Sequence, residues 1–146
     1  TEEALALFQQ IQQNLDPLGY DYSLNFLIEE LCRAKRWQEC QRIIEEAQGK
    51  IPLTARMLFF RGRCMEGLGD NEHAEEFYRQ AMTIKEEPLT MNIRYTGYND
   101  YYPYLRLAVL EKKRGKLDEA LRYVECASQK YPLDKELHHS YKVRLH

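Results

Sequence analysis

The sequence lacks long apolar runs, and no stretch approaches the roughly 20 apolar residues that a membrane-spanning helix needs. Its start also lacks the positively charged segment followed by an apolar one that marks a secretory signal. Charge of one sign is not in large excess, since the formal net charge is -2. We therefore expect a soluble chain without membrane contacts, for which nucleic acid is only a minor alternative as a partner.

The sequence lacks the cysteine spacings of the common metal motifs. Cys32, Cys40, Cys64 and Cys126 form no CxxC pair and no Cys/His ligand spacing. Each lies on or beside an apolar helical stripe, and free cysteine is among the residue types most often buried. We therefore expect reduced cysteines that pack as small hydrophobic residues, no metal or cofactor, and a reducing compartment, either cytoplasm or nucleus.

Convergent catalytic groups are lacking as well. The histidines are His73, the adjacent His138 and His139, and His146, and none has a partner at relay or metal-ligand spacing. Adjacent acidic pairs diverge by about 100° on a helix, and no phosphate-binding glycine loop occurs. We predict no catalytic residues, and hence that the chain is not an enzyme.

What the sequence does contain is helical periodicity with small residues in fixed places. Residues 55–88 predict two helices joined by a Gly-Asp-Asn turn. In the first helix, Gly62 leaves space for a neighbouring side chain, and in the second, Tyr78 is the large residue between two alanines. We expect small residues of one helix to pack against large residues of the other, and Pro88 to end the second helix.

The same pattern recurs along the chain. A shift of 34 residues places Leu24 on Leu58, and a shift of 46 residues places Gly69 on Gly115. The second shift equals the first plus an insertion of 12 residues. A fixed period of helix pairs is typical of a solenoid, in which each unit buries its apolar face against its neighbours.

This pattern resembles the tetratricopeptide repeat family, whose units have a bulky residue at position 4, small residues at 8, 20 and 27, glycine at 15 and proline at 32. The best match is residues 101–134, through Tyr104, Ala108, Gly115, Ala120, Ala127 and Pro132. In residues 21–54, Lys35 stands where glycine is usual. The resemblance implies an all-α fold, a right-handed superhelical solenoid of antiparallel helix pairs.

The repeats predict one domain over residues 1–146, and because residue 1 is not methionine we expect it to be a segment of a larger protein. Asp16-Pro17 and Gly19 predict a break before the first repeat, and Asn99-Asp100 predicts a helix start with Pro103 in the first turn. The predicted parts are a leading helix (1–15), three repeats (21–54, 55–88 and 101–134), a tyrosine-rich insert (89–100) and a capping helix (134–146).

Tyrosine is concentrated in and just after the insert. Tyrosine is amphipathic and common at interfaces, so Tyr95 and Tyr98 are candidate contacts for a partner. Packing of these tyrosines onto their own repeat is an alternative that the sequence leaves open.

The resemblance also implies a concave groove lined by the first helix of each repeat. Aromatic and arginine side chains, which carry much of the energy of protein interfaces, are frequent at these positions. In the alternative, Phe59 and Leu105 contact neighbouring helices and the arginines only keep a wet surface soluble. The candidate groove residues are Tyr22, Asn25, Glu29, Arg56, Phe59, Arg63, Tyr102, Leu105, Arg106, Val109 and Lys113.

One kind of partner is excluded by the same comparison of positions. The chaperone-tail binders of the family clamp a C-terminal carboxylate with lysine, asparagine and arginine side chains. The corresponding residues here are Asn25, Glu29, Phe60, Tyr102 and Arg106. Only Arg106 fits, and Glu29 repels a carboxylate.

Two functions remain. We predict a protein-protein interaction module, a non-catalytic adaptor or scaffold that binds a peptide segment of a partner in the concave groove. The alternative is an architectural segment of a multisubunit assembly, or a self-association domain, that uses the convex face and the tyrosine-rich insert.

Overall fold

The computed structural model describes residues 2–13, 17–49, 53–85, 97–98, 100–130 and 139. Within these residues the chain is helical and contains no β-strand, as the sequence predicts. Helix α1 packs on α2, and the pairs α2/α3, α4/α5 and α6/α7 follow in chain order. The helices are α1 (Glu2–Gln13), α2 (Pro17–Arg33), α3 (Trp37–Ala47), α4 (Ala55–Gly67), α5 (Asn71–Thr83), α6 (Tyr102–Lys113) and α7 (Leu117–Lys130).

Successive pairs also contact one another, so the helices form a continuous stack. Helix α4 packs on both α2 and α3, and α5 packs on α6. Most buried apolar side chains of α2 to α5 belong to one cluster, which extends to Leu107 and Leu110 of α6. A second cluster fills the space between α6 and α7. Each pair therefore buries its apolar face against its own partner helix and against the next pair.

The three pairs turn in the same way at equivalent positions. In each turn, the amide of the residue before the second helix donates to a carbonyl five residues earlier. These hydrogen bonds are Arg36 N to Leu31 O at 2.9 Å, Asp70 N to Met65 O at 2.8 Å, and Lys116 N to Glu111 O at 2.9 Å. The recurrence shows that the sequence repeat is a structural repeat.

A left-handed residue lies inside each of these turns. Gly69 and Gly115 have φ of 87° and 80°, and Lys35 has φ of 59°. This region costs little for glycine but crowds the Cβ of other residues. Lys35, which occupies the expected glycine position, therefore adopts the left-handed conformation at a steric cost.

A small residue of α4 packs against a large residue of α5, as predicted. A Cβ built on Gly62 would lie 2.5 Å from Cε1 of Tyr78, whose side chain is fully buried. A similar fit joins the first and second pairs, because a Cβ on Gly67 would overlap the ring of Trp37. Both glycines are required by close packing against an aromatic ring.

Two predicted helix ends are wrong. Helix α2 begins at Pro17 and includes Gly19, because proline is compatible with the first turn, where no intrahelical amide bond is needed. Helix α5 ends at Thr83 rather than at Pro88, since Ile84 already has extended backbone, with φ -82° and ψ 110°.

The start of α6 also differs from the prediction. Pro103 lies in the first turn, as expected, but the residue before the helix is Tyr101, not Asp100, and no side chain caps it. Instead, the amides of Tyr101 and Tyr102 donate to the carbonyl of Gly97 at 3.0 and 2.8 Å. Backbone hydrogen bonds thus define the start of α6, where the sequence predicted a polar side chain as the cap.

Several predictions lie outside the described residues. The proposed capping helix (134–146) is described only at His139, and the tyrosine-rich insert (89–100) only at Gly97, Tyr98 and Asp100. The domain boundaries and the right-handed superhelical sense stay predictions.

Candidate functional site

The candidate groove residues come from α2, α4 and α6, the first helices of the three pairs. They do not form one open surface, because some fill the space between helices and others reach solvent. The side chains of Tyr22 and Tyr95 lie outside the described part of the chain.

Arg56 lies in the interface between the first and second pairs. Only 3% of it is exposed, and its Nη1 donates to the backbone carbonyl and to Oδ1 of Asn25 at 3.1 and 2.7 Å. Its Nη2 donates to Glu29 Oε2 at 3.1 Å. Asn25 is itself buried. These candidate groove residues thus join α2 to α4, and little of Arg56 or Asn25 reaches solvent.

Phe59 lies in an aromatic cluster rather than on an open surface. Its ring centroid is 5.3 Å from that of Phe60, 5.6 Å from Tyr78, 5.3 Å from Tyr98 and 6.0 Å from Tyr102. Such spacings are typical of stabilising aromatic pairs. Phe59 therefore contacts neighbouring helices and does not line an open groove. Leu105 of α6 is also buried and packs against neighbouring side chains. Both residues agree with the alternative interpretation of the sequence.

Tyr98 belongs to the same cluster. Its ring packs against Phe60 and Tyr102, with centroid distances of 5.7 and 4.9 Å. The guanidinium carbon of Arg56 lies 5.5 Å from its centroid, within the range of a cation-π contact. The described end of the insert is thus packed on α4 and α6.

Glu66 is the centre of a different cluster, near the end of α4. Its side chain is only 5% exposed, and it accepts hydrogen bonds from Tyr78 Oη at 2.7 Å and from Arg106 Nε at 3.1 Å. Arg106 Nη2 also donates to the second carboxylate oxygen. Arg63 Nη1 and Lys113 Nζ each lie 3.7 Å from that oxygen. Side chains of α4, α5 and α6 therefore meet at one carboxylate.

The surroundings keep Glu66 ionised and Tyr78 protonated. Burial opposes ionisation of Glu66, but the hydrogen bonds and charge of Arg106, with help from Tyr78 and Arg63, lower its pKa. Burial, together with the negative charge of Glu66, raises the pKa of Tyr78 well above its ordinary value. Tyr78 thus remains a hydrogen-bond donor to a carboxylate.

This cluster carries more positive than negative charge. Among the described residues, three cations (Arg63, Arg106 and Lys113) lie within 3.7 Å of this one carboxylate, which leaves two positive charges in excess. The side chains of Arg63 and Lys113 are 29% and 49% exposed, and Val109, half-buried, lies on the same side of α6 between Arg106 and Lys113. The arrangement presents partly desolvated cations beside an apolar side chain, which suits a carboxylate of another molecule.

Other basic side chains are engaged within the chain. Arg61 lies over the ring of Phe77, 4.5 Å from its centroid, and pairs with Glu45 at 3.3 Å. Arg114 pairs with Glu75 at 2.7 Å and with Glu111 at 2.8 Å. The charges of Arg61 and Arg114 are therefore neutralised in part by acidic neighbours.

The structure brings three cysteines together, which spacing in the sequence did not reveal. The Sγ atoms of Cys32, Cys40 and Cys64 lie within 4.8 Å of one another. Hydrogen bonding with Cys40 and Cys64 lowers the pKa of Cys32, and hydrogen bonding with Cys32 and Cys64 raises the pKa of Cys40. The three cysteines lie near the ends of α2 and α4 and the start of α3, three helices that pack together.

Comparison with known families bears on the segment that holds Glu66. Residues 55–88 match the family model of the tetratricopeptide repeat. The chain carries a tetratricopeptide repeat. The matched residues span α4 and α5, and the succession of helix pairs is that of a tetratricopeptide-like solenoid. No curated protein matches the chain.

The repeat indicates a protein-protein interaction module. Tetratricopeptide repeats generally bind protein partners and are typically non-catalytic. Among the described residues, no helix combines the length and the apolar character needed to cross a bilayer.

Proposed function

We propose that this chain is a non-catalytic adaptor or scaffold that binds an acidic peptide segment of a partner protein in the groove between α4 and α6. The observation that carries the proposal is the excess of positive charge around Glu66. The cations around Glu66 come from both helices, since Arg63 belongs to α4, and Arg106 and Lys113 belong to α6.

The chemistry of these side chains favours a carboxylate ligand. Arginine offers a planar fork of donors that pairs with carboxylate oxygens, and such charge-assisted hydrogen bonds are stronger than neutral ones. Glu66 fixes Arg106 in place before a ligand arrives, which reduces the entropy lost on binding. Lys113, the most exposed cation of the cluster, adds charge at the rim.

A peptide is favoured over nucleic acid by the distribution of charge. The whole chain carries a formal net charge of -2, and Arg56, Arg61 and Arg114 are paired with acidic side chains elsewhere. A nucleic-acid surface needs an extended basic stripe to neutralise many phosphates. A local excess of two charges suits one or two acidic side chains instead.

The burial of the other candidate residues changes how the groove should be tested. Replacing Phe59 or Arg56 would disturb packing between helices, so loss of binding would be ambiguous. Arg63 and Lys113 are the informative positions, because the side chains of both are partly exposed. A matched charge reversal is available at Lys130, which is exposed in the last turn of α7.

The experiment is selection of ligands for the purified chain from a random peptide display library, followed by fluorescence anisotropy with the enriched peptides. We expect enrichment of Asp and Glu, and at least tenfold weaker binding to the Arg63→Glu/Lys113→Glu protein. The Lys130→Glu protein should bind as the wild type does. Enrichment of basic or purely apolar peptides, or unchanged affinity of the double variant, would contradict the proposal.

The architectural alternative gains no support from the part of the insert that the structure describes. The ring of Tyr98 is engaged by Phe59, Phe60 and Tyr102 of its own chain. Its ring contacts are thus those of a packing residue.

A further inference from the structure

Three cysteines meet in the core between the first and second helix pairs. Cys32 lies near the end of α2, Cys40 in the first turns of α3 and Cys64 near the end of α4. Cys40 and Cys64 are fully buried, and Cys32 is half-buried. The proposed peptide groove makes no use of this cluster.

The positions of the sulfur atoms fit a single metal ion. Sulfur ligands lie about 2.3 Å from a bound zinc ion, and a trigonal or tetrahedral site with bonds of this length separates its sulfurs by about 3.8–4.0 Å. The Sγ atoms of Cys32 and Cys40 are 3.4 Å apart, and all three Sγ atoms lie within 4.8 Å of one another. The three sulfurs thus lie close enough together to reach one ion, and Cys32 and Cys40 would separate by about 0.5 Å to hold it.

The donor set favours a soft ion with a low coordination number. Among the described residues, no histidine, aspartate or glutamate joins the three thiols. Structural zinc sites use four protein ligands, and catalytic ones complete three with water. Here the cluster lies beside the fully buried Ile28 and Leu31, so the surroundings are apolar. Thiolates suit both Cu(I) and zinc, but Cu(I) is stable with three sulfur ligands, whereas zinc needs a fourth ligand.

We propose that Cys32, Cys40 and Cys64 bind one Cu(I) ion as three thiolates. Each thiol that carries a proton releases it to solvent as a Cu–S bond forms, and neither copper nor sulfur changes oxidation state. Three thiolates and one Cu(I) leave two negative charges. Arg56 and Arg63, which both act electrostatically on Cys32, offset them in part, since these side chains also pair with Glu29 and Glu66. The ion joins α2, α3 and α4, and thus the first two helix pairs.

The test is anaerobic titration of the reduced chain with Cu(I) in competition with bicinchoninate. We expect one Cu(I) retained per chain, and X-ray absorption of the loaded protein should show three sulfur ligands. Cys32→Ser should weaken Cu(I) retention at least a hundredfold. Cys126→Ser is the matched control, because Cys126 is exposed on α7, and it should retain copper as the wild type does.

Folding of the variants is controlled in two ways. Cys32 is partly exposed, so its replacement by serine should leave the far-UV circular dichroism spectrum unchanged, and the X-ray absorption measurement needs no variant. Retention unaffected by Cys32→Ser, equal loss in Cys126→Ser, fewer than three sulfur ligands, or preferential binding of Zn(II) over Cu(I) would each overturn the proposal.

Discussion

Replacing Gly62 with alanine has two effects of opposite sign on the free energy of unfolding. Alanine in a helix interior is more favourable than glycine by about 0.5–1 kcal/mol. However, the new Cβ would lie 2.5 Å from Tyr78 Cε1, whereas carbon atoms pack best at about 3.5–4.0 Å. The ring must therefore move by about 1 Å, although it is fully buried and hydrogen-bonded to Glu66.

Overpacking of this kind costs about 1–3 kcal/mol. We therefore expect Gly62→Ala to lower the free energy of unfolding by up to about 2.5 kcal/mol after the gain in helix propensity is subtracted. Urea unfolding followed by far-UV circular dichroism measures the change. In a Tyr78→Leu protein the aromatic ring is absent, so the Gly62→Ala substitution should leave the free energy of unfolding unchanged or raise it. A Gly62→Ala protein more stable than the wild type would refute this account of how α4 meets α5.

Three further predictions concern stability. Lys35→Gly should raise the free energy of unfolding by about 0.5–1 kcal/mol, because it removes the strain of a left-handed lysine; a loss of stability in urea unfolding would contradict this. Thr54→Ala should cost about 1 kcal/mol, since Thr54 Oγ1 accepts from the amide of Met57 at 3.1 Å and caps α4; an unchanged melting temperature would argue against the cap. Glu66→Gln should cost about 2 kcal/mol at neutral pH by leaving Arg106 without its carboxylate. Because folding lowers the pKa of Glu66, its contribution is complete above the unfolded pKa, about 4.3, and is lost as pH falls through the folded value. The difference between wild type and Glu66→Gln should thus shrink in acid, and a difference that grows below pH 4 would be inconsistent with the shift.

The fold was predictable because its signals are local and repeated. The spacing of apolar residues, the turn glycines and the small residues at fixed positions each constrain one helix pair, and their recurrence defines the stack. Lys35, which stands where the repeat pattern has glycine, takes the same left-handed backbone conformation as Gly69 and Gly115. The helix ends were less predictable, because Pro17 is compatible with a first turn and the start of α6 is set by hydrogen bonds to the carbonyl of Gly97.

The candidate site was predictable in position but not in accessibility. Repeat position placed Arg56 and Phe59 on the groove-facing helix, but the side chains that cover them come from α2 and from the insert. No periodic pattern encodes such contacts. The convergence of Arg63, Arg106 and Lys113 on Glu66 likewise depends on how α4 and α6 are spaced. The meeting of Cys32, Cys40 and Cys64 depends on how α2, α3 and α4 pack together.

The central claim, that a partner peptide lies in the groove between α4 and α6, is tested most directly by site-specific photocrosslinking. A benzophenone amino acid is placed at Val109, on the groove side of α6, or at Gln129, which is exposed on α7. With a labelled acidic peptide from the library selection, we predict a crosslink from position 109 that excess unlabelled peptide removes, and none from position 129. Crosslinking from position 129 alone, or equally from both positions, would contradict binding in the groove.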